Sequence, residues 1–295
     1  MRKRQNTDHV SHVVFCVRPE EMDDAWAFWS ALGVELQEHT REDYGLRILY
    51  GWNSGVEIIT SKGDGPFADQ INAHLAEHGP GIFSVVYGVP SITEAVEQVR
   101  QAGADAQIFE APMVGDEPWF DRYDHLQEGA VVGMDDLRLA IVEKRHREEI
   151  PSEAGHVSHV MYVMDPKSLD ANVAFLKDAL GVEFDDVDTG TADLRVLYSF
   201  DAGLELLGPE PSSEGPIADG LRAHGDGPLL VAFQVPDIEV AAAKAEAHLG
   251  QPPARRISYT GLPGWTDRYR VLEEVVLEPY RGMEIVLMQM DMVGE

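Results

Sequence analysis

Two short segments carry the first hint of chemistry. His9-Val10-Ser11-His12-Val13 returns later as His156-Val157-Ser158-His159-Val160. Each copy sets a histidine in an apolar run, where an imidazole can change charge near neutral pH or offer a lone pair to a metal. Two glutamates are placed just as oddly, Glu57 between Val56 and Ile58, and Glu205 between Leu204 and Leu206. Side chains alternate across a strand, so each carboxylate faces away from its apolar neighbours. Burying a carboxylate unpaired is costly, so a polar-lined space is expected on that side. Asp121-Arg122-Tyr123 likewise returns as Asp267-Arg268-Tyr269. There an arginine can grip a carboxylate through two parallel bonds, and Tyr123 or Tyr269 can donate to an oxyanion. The plainer role is an Asp–Arg pair that fixes a loop over a packed tyrosine. His125 has no counterpart, since Arg270 or Val271 falls in its place. It is a candidate base, or a surface histidine on a strand.

These recurrences are part of a longer register. Leu32-Gly33-Val34-Glu35 matches Leu180-Gly181-Val182-Glu183, and Leu46-Arg47-Ile48-Leu49-Tyr50 matches Leu194-Arg195-Val196-Leu197-Tyr198. Gly65-Pro66 matches Gly215-Pro216, and the offset stays between 146 and 150 residues throughout. The chain is therefore a tandem duplication. The spans are residues 8–145 and 156–290, joined by a charged, Pro-containing linker over 146–155.

Each half must position its polar groups on strands. Residues 10–17 read as an apolar strand. Met22, Ala25, Trp26, Trp29 and Leu32 fall at helical spacing over 22–32, with Gly33 as the stop. Strands are expected near 34–39, 46–51 and 55–60. A second strand–helix–strands unit begins at 82–87, its helix over 92–102 capped by Ser91 with Glu94 in the capping-box position. Gly63-Asp64-Gly65-Pro66 reads as a turn, without the lysine of a phosphate loop. The later half repeats the order. The class is α+β: four βαβββ modules paired into two curled mixed-sheet cups, with helices outside.

Composition narrows the partners. The 295 residues include 52 acidic and 23 basic side chains, for a net charge of −29. Such a surface repels phosphate backbones and anionic lipids, which argues against nucleic-acid and membrane roles. The single cysteine, Cys16, excludes an intramolecular disulfide and any Cys-rich metal site, and its apolar strand suits a packed thiol. Met1-Arg2-Lys3-Arg4 is followed by no apolar core, and no run reaches membrane-spanning length. The expected location is cytoplasmic.

With Ser11-His12-Val13-Val14 and Ser158-His159-Val160-Met161 opening the halves, and Gly55-Val56-Glu57-Ile58-Ile59 and Gly203-Leu204-Glu205-Leu206-Leu207 following, the chain resembles the vicinal oxygen chelate superfamily. Gly227-Pro228-Leu229-Leu230-Val231-Ala232-Phe233-Gln234-Val235-Pro236-Asp237 resembles the opening of an epimerase-type second unit. That superfamily includes glyoxalase I, methylmalonyl-CoA epimerases, extradiol dioxygenases and antibiotic-sequestering proteins. The resemblance implies a divalent metal (Fe, Mn, Co, Ni or Zn) held by side chains from the first and last strands of paired units. Carried over, the ligands are His159, Glu205 and Glu284 in the second half, the favoured set, and His12 and Glu57 in the first. The remaining positions are Leu230, Ser84, and Arg138 or Ala140, which depart from the pattern.

The resemblance implies three activities. The first is a metal-dependent isomerase or lyase acting on a small carbonyl or carboxylate substrate through an enolate. Glu205 or Glu284 would move the proton, with Tyr269 and His125 as further catalytic candidates. The second is Fe(II)-dependent extradiol ring cleavage, which normally asks for two histidines. The third is metal-free sequestration of an aromatic ligand. The expected partner is a small molecule, and a homodimer is compatible with the family.

Overall fold

The structure is a computed structural model, and it describes residues 7–109, 122–147, 152–188, 193–261 and 265–293. The first half runs β1 (His9–Cys16), α1 (Met22–Leu32), β2 (Gln37–Arg41), β3 (Leu46–Gly51), β4 (Val56–Ser61), α2 (Pro66–Glu77), β5 (Gly81–Gly88), α3 (Ile92–Gln101), β6 (Asp105–Ile108), β7 (Tyr123–Val132) and β8 (Leu139–His146). The second half continues with β9 (His156–Val163), α4 (Pro166–Leu180), β10 (Asp185–Val187), β11 (Leu194–Ser199), β12 (Leu204–Pro209) and α5 (Pro216–His224). It ends with β13 (Gly227–Gln234), α6 (Ile238–Leu249), β14 (Arg255–Ser258), β15 (Tyr269–Val276) and β16 (Ile285–Met292).

These strands make two eight-stranded mixed sheets, ordered β2-β3-β4-β1-β5-β8-β7-β6 and β10-β11-β12-β9-β13-β16-β15-β14. Each sheet takes its strands from one half, so modules pair within halves and none is exchanged. The module joint is antiparallel, His12 lying opposite Val86 on β5 and His159 opposite Ala232 on β13. Local chemistry fixes the helix ends. Gly33 takes the left-handed conformation (φ 96°) that ends α1, and the Ser91 hydroxyl accepts the Glu94 N–H at 3.4 Å to cap α3.

The two faces of β1 meet different surroundings. Val10, Val13, Phe15 and Val17 belong to one buried core with α1, α3, α4, α6 and the outer face of β9. Trp29 sits within it, its ring 5.2 Å from Phe233 and its N–H donating to the Met283 sulfur at 3.4 Å. Val10 N–H donates to Ala202 O at 2.8 Å, and Val157 N–H donates to Ser54 O at 2.7 Å. The sheets thus stand back to back through one core shared by both halves. The alternate side chains of β1, Val14 and Cys16, pack with Ile71, Phe67 and Leu75 of α2 inside the first cup.

That last packing adds an element and corrects one expectation. Residues 66–77, unassigned from the sequence, form a helix straight after the Gly63–Pro66 turn, with Pro66 in its first turn. And α2, like α5 in the second half, packs against cup-side residues, so not every helix lies outside. The Cys16 thiol is buried there, and burial pushes it up to about 12, so it is an inert packing group.

Candidate active site

In the first cup His12 projects from β1 between two carboxylates. Its Nε2 lies 3.4 Å from Glu57 Oε2 on β4 and 3.6 Å from Glu128 Oε1 on β7. The other ring nitrogen, Nδ1, is 3.0 Å from Ser11 Oγ, and Lys144 on β8 donates to that same hydroxyl at 2.5 Å. An ammonium only donates, so the serine oxygen accepts from Lys144. Its second lone pair can take the Nδ1 proton and leave Nε2 bare. Tyr50, Trp52 and Tyr123 wall the cavity above these groups, with Tyr50 and Trp52 stacked at 4.5 Å. The cavity is open to solvent and, counted with its mouth, measures about 370 Å³.

Electrostatics sets the carboxylates apart from ordinary ones. Burial pushes Glu128 up to about 7, with Lys144 opposing the rise. Burial also lifts Glu57 well above the usual carboxylate range, and the neighbouring Glu128 charge lifts it further. Two largely buried carboxylates converge on one imidazole, with the Lys144 ammonium acting on Glu128.

The second cup keeps the positions and changes the setting. His159 Nε2 is 3.4 Å from Glu205 Oε2. Glu274 on β15, the repeat equivalent of Glu128, is pushed up to about 7 by burial and by the Glu205 charge, with His159 opposing. Where the first cup has Lys144 the second has Met290. Ser158 Oγ then stands 3.4 Å from His159 Nδ1, and Tyr198 Oη takes the closer place at 3.1 Å. The Tyr259 hydroxyl donates to Glu274 at 3.3 Å. Phe200, Trp265 and Tyr269 pack around Tyr198, and the cavity outside them reaches Tyr198, Asp267 and Tyr269 but none of His159, Glu205 or Glu274. The His159 side chain is 3% exposed, against 14% for His12. Trp119, the counterpart of Trp265, lies outside the described residues, as does Asp121.

Several expectations change. Glu284 does not join His159 and Glu205. It precedes β16 by one residue and lines a different cleft, with His224, at the junction of the halves. The cup beyond Glu205 is filled by Met161, Leu207 and Val286. His125 points away from the cup, its Nε2 3.4 Å from Glu143, whose carboxylate accepts the Ile92 N–H at the start of α3. Arg268 pairs with Asp185 at 2.6 Å rather than with Asp267, and stacks 3.9 Å above the Phe200 ring. Tyr269 belongs to the aromatic cluster and lines the cavity outside it, and its equivalent Tyr123 lines the first cup beside His12.

The groups missed were Glu128 and Glu274. They come from β7 and β15, not from the strands on which the resemblance places ligands. Their signal was the shared offset of 146 residues, with Leu126 and Leu272 two positions before each on the same face.

The donors present suit a divalent ion in kind: one imidazole nitrogen and two largely buried carboxylates. Ligands bound at ~2.0–2.2 Å to one ion stand roughly 3.0–3.6 Å apart, the spacing seen around His12 Nε2. Among the described residues, no three or more His, Cys, Asp or Glu side chains close into a metal cluster as they stand. Here His12 meets both carboxylates directly.

Comparison with solved structures agrees with this architecture. A triple mutant of 4-hydroxymandelate synthase from Streptomyces coelicolor superposes with a TM-score of 0.68 at 14% identity, over 97% of this chain and 94% of that one. The chain carries the vicinal oxygen chelate fold, in tandem form. A 2,2',3-trihydroxybiphenyl 1,2-dioxygenase from Sphingomonas wittichii is similar at a TM-score of 0.62 and 12% identity, covering 97% and 92%. A fusion of a xylose isomerase-like TIM barrel with 4-hydroxyphenylpyruvate dioxygenase gives 0.63 at 18% identity, covering 97% of this chain and 49% of the fusion. No family model and no curated protein sequence matches the chain. Among the described residues no helix is long and apolar enough to cross a membrane.

Proposed function

We propose that the chain is a metal-dependent enzyme of the vicinal oxygen chelate type, and that its first cup moves a proton on a small carbonyl or carboxylate substrate. The observation that carries this reading is the convergence of Glu57 and Glu128 on His12 Nε2, at 3.4 and 3.6 Å, in a cavity open to solvent. His12, Glu57 and Glu128 are the donors that would hold a divalent metal, which supplies Lewis acidity toward two substrate oxygens. Glu128 is the proton carrier. Its carboxylate lines the cavity beside His12, where it can take a proton from carbon and return it. Lys144 keeps that carboxyl from rising further, and through Ser11 it fixes the imidazole plane. Tyr123 stands on the cavity wall, where its hydroxyl can donate to developing negative charge. Tyr50 and Trp52 exclude water from one side.

A second reading, oxygen-dependent oxidation of an aromatic substrate, draws on two similar structures named as dioxygenases and on the stacked Tyr50–Trp52 wall. One histidine rather than two ranks it lower.

The test is elemental analysis of protein purified without chelator, beside His12→Ala and His159→Ala. Near-stoichiometric metal lost only in His12→Ala supports the first cup, and loss only in His159→Ala moves the site to the second. Solvent deuterium entering a substrate carbon next to a carbonyl then marks proton transfer, while oxygen uptake with catechols marks the second reading. No metal after reconstitution with Fe, Mn, Co, Ni and Zn overturns both, and leaves a metal-free binding protein.

A further inference from the structure

Away from both cups, a cleft opens where the ends of β8 and β16 face the C-termini of α2 and α5. Its floor is a close contact between the halves: a β-carbon at Gly282 would collide with the Pro80 carbonyl, so only glycine lets the chains approach. With its mouth the space measures about 730 Å³. The lining is mainly polar and follows the repeat. His74 and His224 are equivalent positions, 150 residues apart, and so are Arg138 and Glu284, 146 apart. The duplication therefore sets a cation on one side of the cleft and an anion on the equivalent site of the other.

Neither charge is answered by an ion pair. Arg138 donates through Nη1 to Ile82 O at 2.7 Å, and among the described residues it forms no ion pair with Glu284 or any other carboxylate. Glu284 is half-buried and likewise lacks an ion pair among the described residues. His74 Nε2 is buried with no hydrogen-bond partner among the described residues. The surrounding charges divide the same way. Arg138 stands near His74, His78 and Glu77, whereas Glu284 stands near His224, with Asp226 also on the lining. Asp226 is partly engaged, accepting the Asp165 N–H at 2.7 Å. Burial opposes charge on both principal groups, lowering the Arg138 pKa and raising that of Glu284, as expected of charges awaiting partners.

We propose that this cleft binds a small zwitterion of amino-acid type, its carboxylate on Arg138 and its ammonium on Glu284. The orphaned His74 nitrogen adds a hydrogen-bonding position beside the carboxylate. A guanidinium–carboxylate pair at one end and a carboxylate–ammonium pair at the other select length as well as charge. His74 provides an internal gauge. Burial and the Arg138 charge hold it at about 4, so a ligand carboxylate on Arg138 raises it.

Isothermal titration of the full chain with glycine, β-alanine and γ-aminobutyrate tests this, with acetate and methylammonium as half-ligands. One zwitterion is expected to bind at 1:1 and more tightly than either half-ligand. Arg138→Gln and Glu284→Gln should each weaken it about tenfold or more, with circular dichroism confirming that the variants fold. The His74 imidazole NMR signal should titrate at higher pH in the bound form. Binding that survives both substitutions, or no binding by any of the three zwitterions, overturns the proposal. Acetate binding as tightly as the best zwitterion, with Glu284→Gln without effect, also overturns it and leaves a simple anion site.

Discussion

The two cups began as copies, and one residue pair accounts for much of their divergence. In the first, Lys144 anchors Ser11, which holds the His12 ring so that Nε2 faces Glu57 and Glu128 on a cavity open to solvent. In the second, Met290 stands in place of the lysine, Ser158 drifts to 3.4 Å, and the Tyr198 hydroxyl becomes the closer partner of the histidine. Around Tyr198, Trp265, Phe200 and Tyr269 build an aromatic cluster, and the cavity outside it does not reach the histidine. The same His/Glu/Glu triplet thus has its histidine on a cavity in one half and buried beneath an aromatic cluster in the other. Triplet identity alone does not make a site; access and the group that orients the imidazole do.

The sharpest way to break this comparison is activity. Glu128→Gln should lower the turnover number by about 10²–10⁴-fold, the range for removing a proton carrier, while Glu274→Gln leaves it within about twofold. Equal losses would erase the distinction between the cups. Trp265→Ala should cost about 3 kcal/mol in denaturant unfolding, because it leaves Phe200, Tyr259 and Tyr269 without their shared neighbour. Bound metal should not change.

Glu274→Gln should also raise stability at pH 8 by about 1–3 kcal/mol. A carboxyl held at about 7 in the fold and near its ordinary 4.5 when unfolded binds its proton more tightly in the folded state. Folded wild-type protein therefore loses stability as pH rises from about 4.5 to about 7, and the glutamine variant escapes that loss. Thermal melts from pH 4 to pH 8 check the sign: the advantage of the variant should vanish at the acid end. The smallest effect expected is from Lys144→Met, which copies the second cup into the first. Without the ammonium the Glu128 carboxyl rises, and the ascending limb of the pH–rate profile should move to higher pH. A limb that stays put would detach Lys144 from the proton carrier.

Much of this was legible in the sequence, for reasons that also mark where it stopped. Helix α1, with Met22, Ala25, Trp29 and Leu32 on one face and Gly33 at its end, was found to the residue, because periodicity and a left-handed stop agree. His12, Glu57, His159 and Glu205 stood out because a polar residue inside an apolar strand is conspicuous, twice over. Glu128 did not, since Gln127 and Gly129 flank it and β7 alternates too loosely for one carboxylate to look misplaced. Helix α2 was hidden by Gly63-Asp64-Gly65-Pro66, a turn signal that is also a helix start, and by a polar exterior that masked Phe67, Ile71 and Leu75. Glu284 shows the limit of period two. It has the parity of Val286, but apolar side chains fill the intervening space, and two residues along a strand is far enough to leave the site.

The shared core has a consequence for how such a chain can evolve. Trp29 against Phe233, and Val10 and Val157 bonding across the seam, are contacts of the kind that hold two subunits together. Joined by a peptide, those subunits meet at a fixed high effective concentration and need not find each other in solution. A mutation no longer strikes both copies at once. Symmetry stops being enforced, and one half can pack its cup more tightly while its twin keeps an open one.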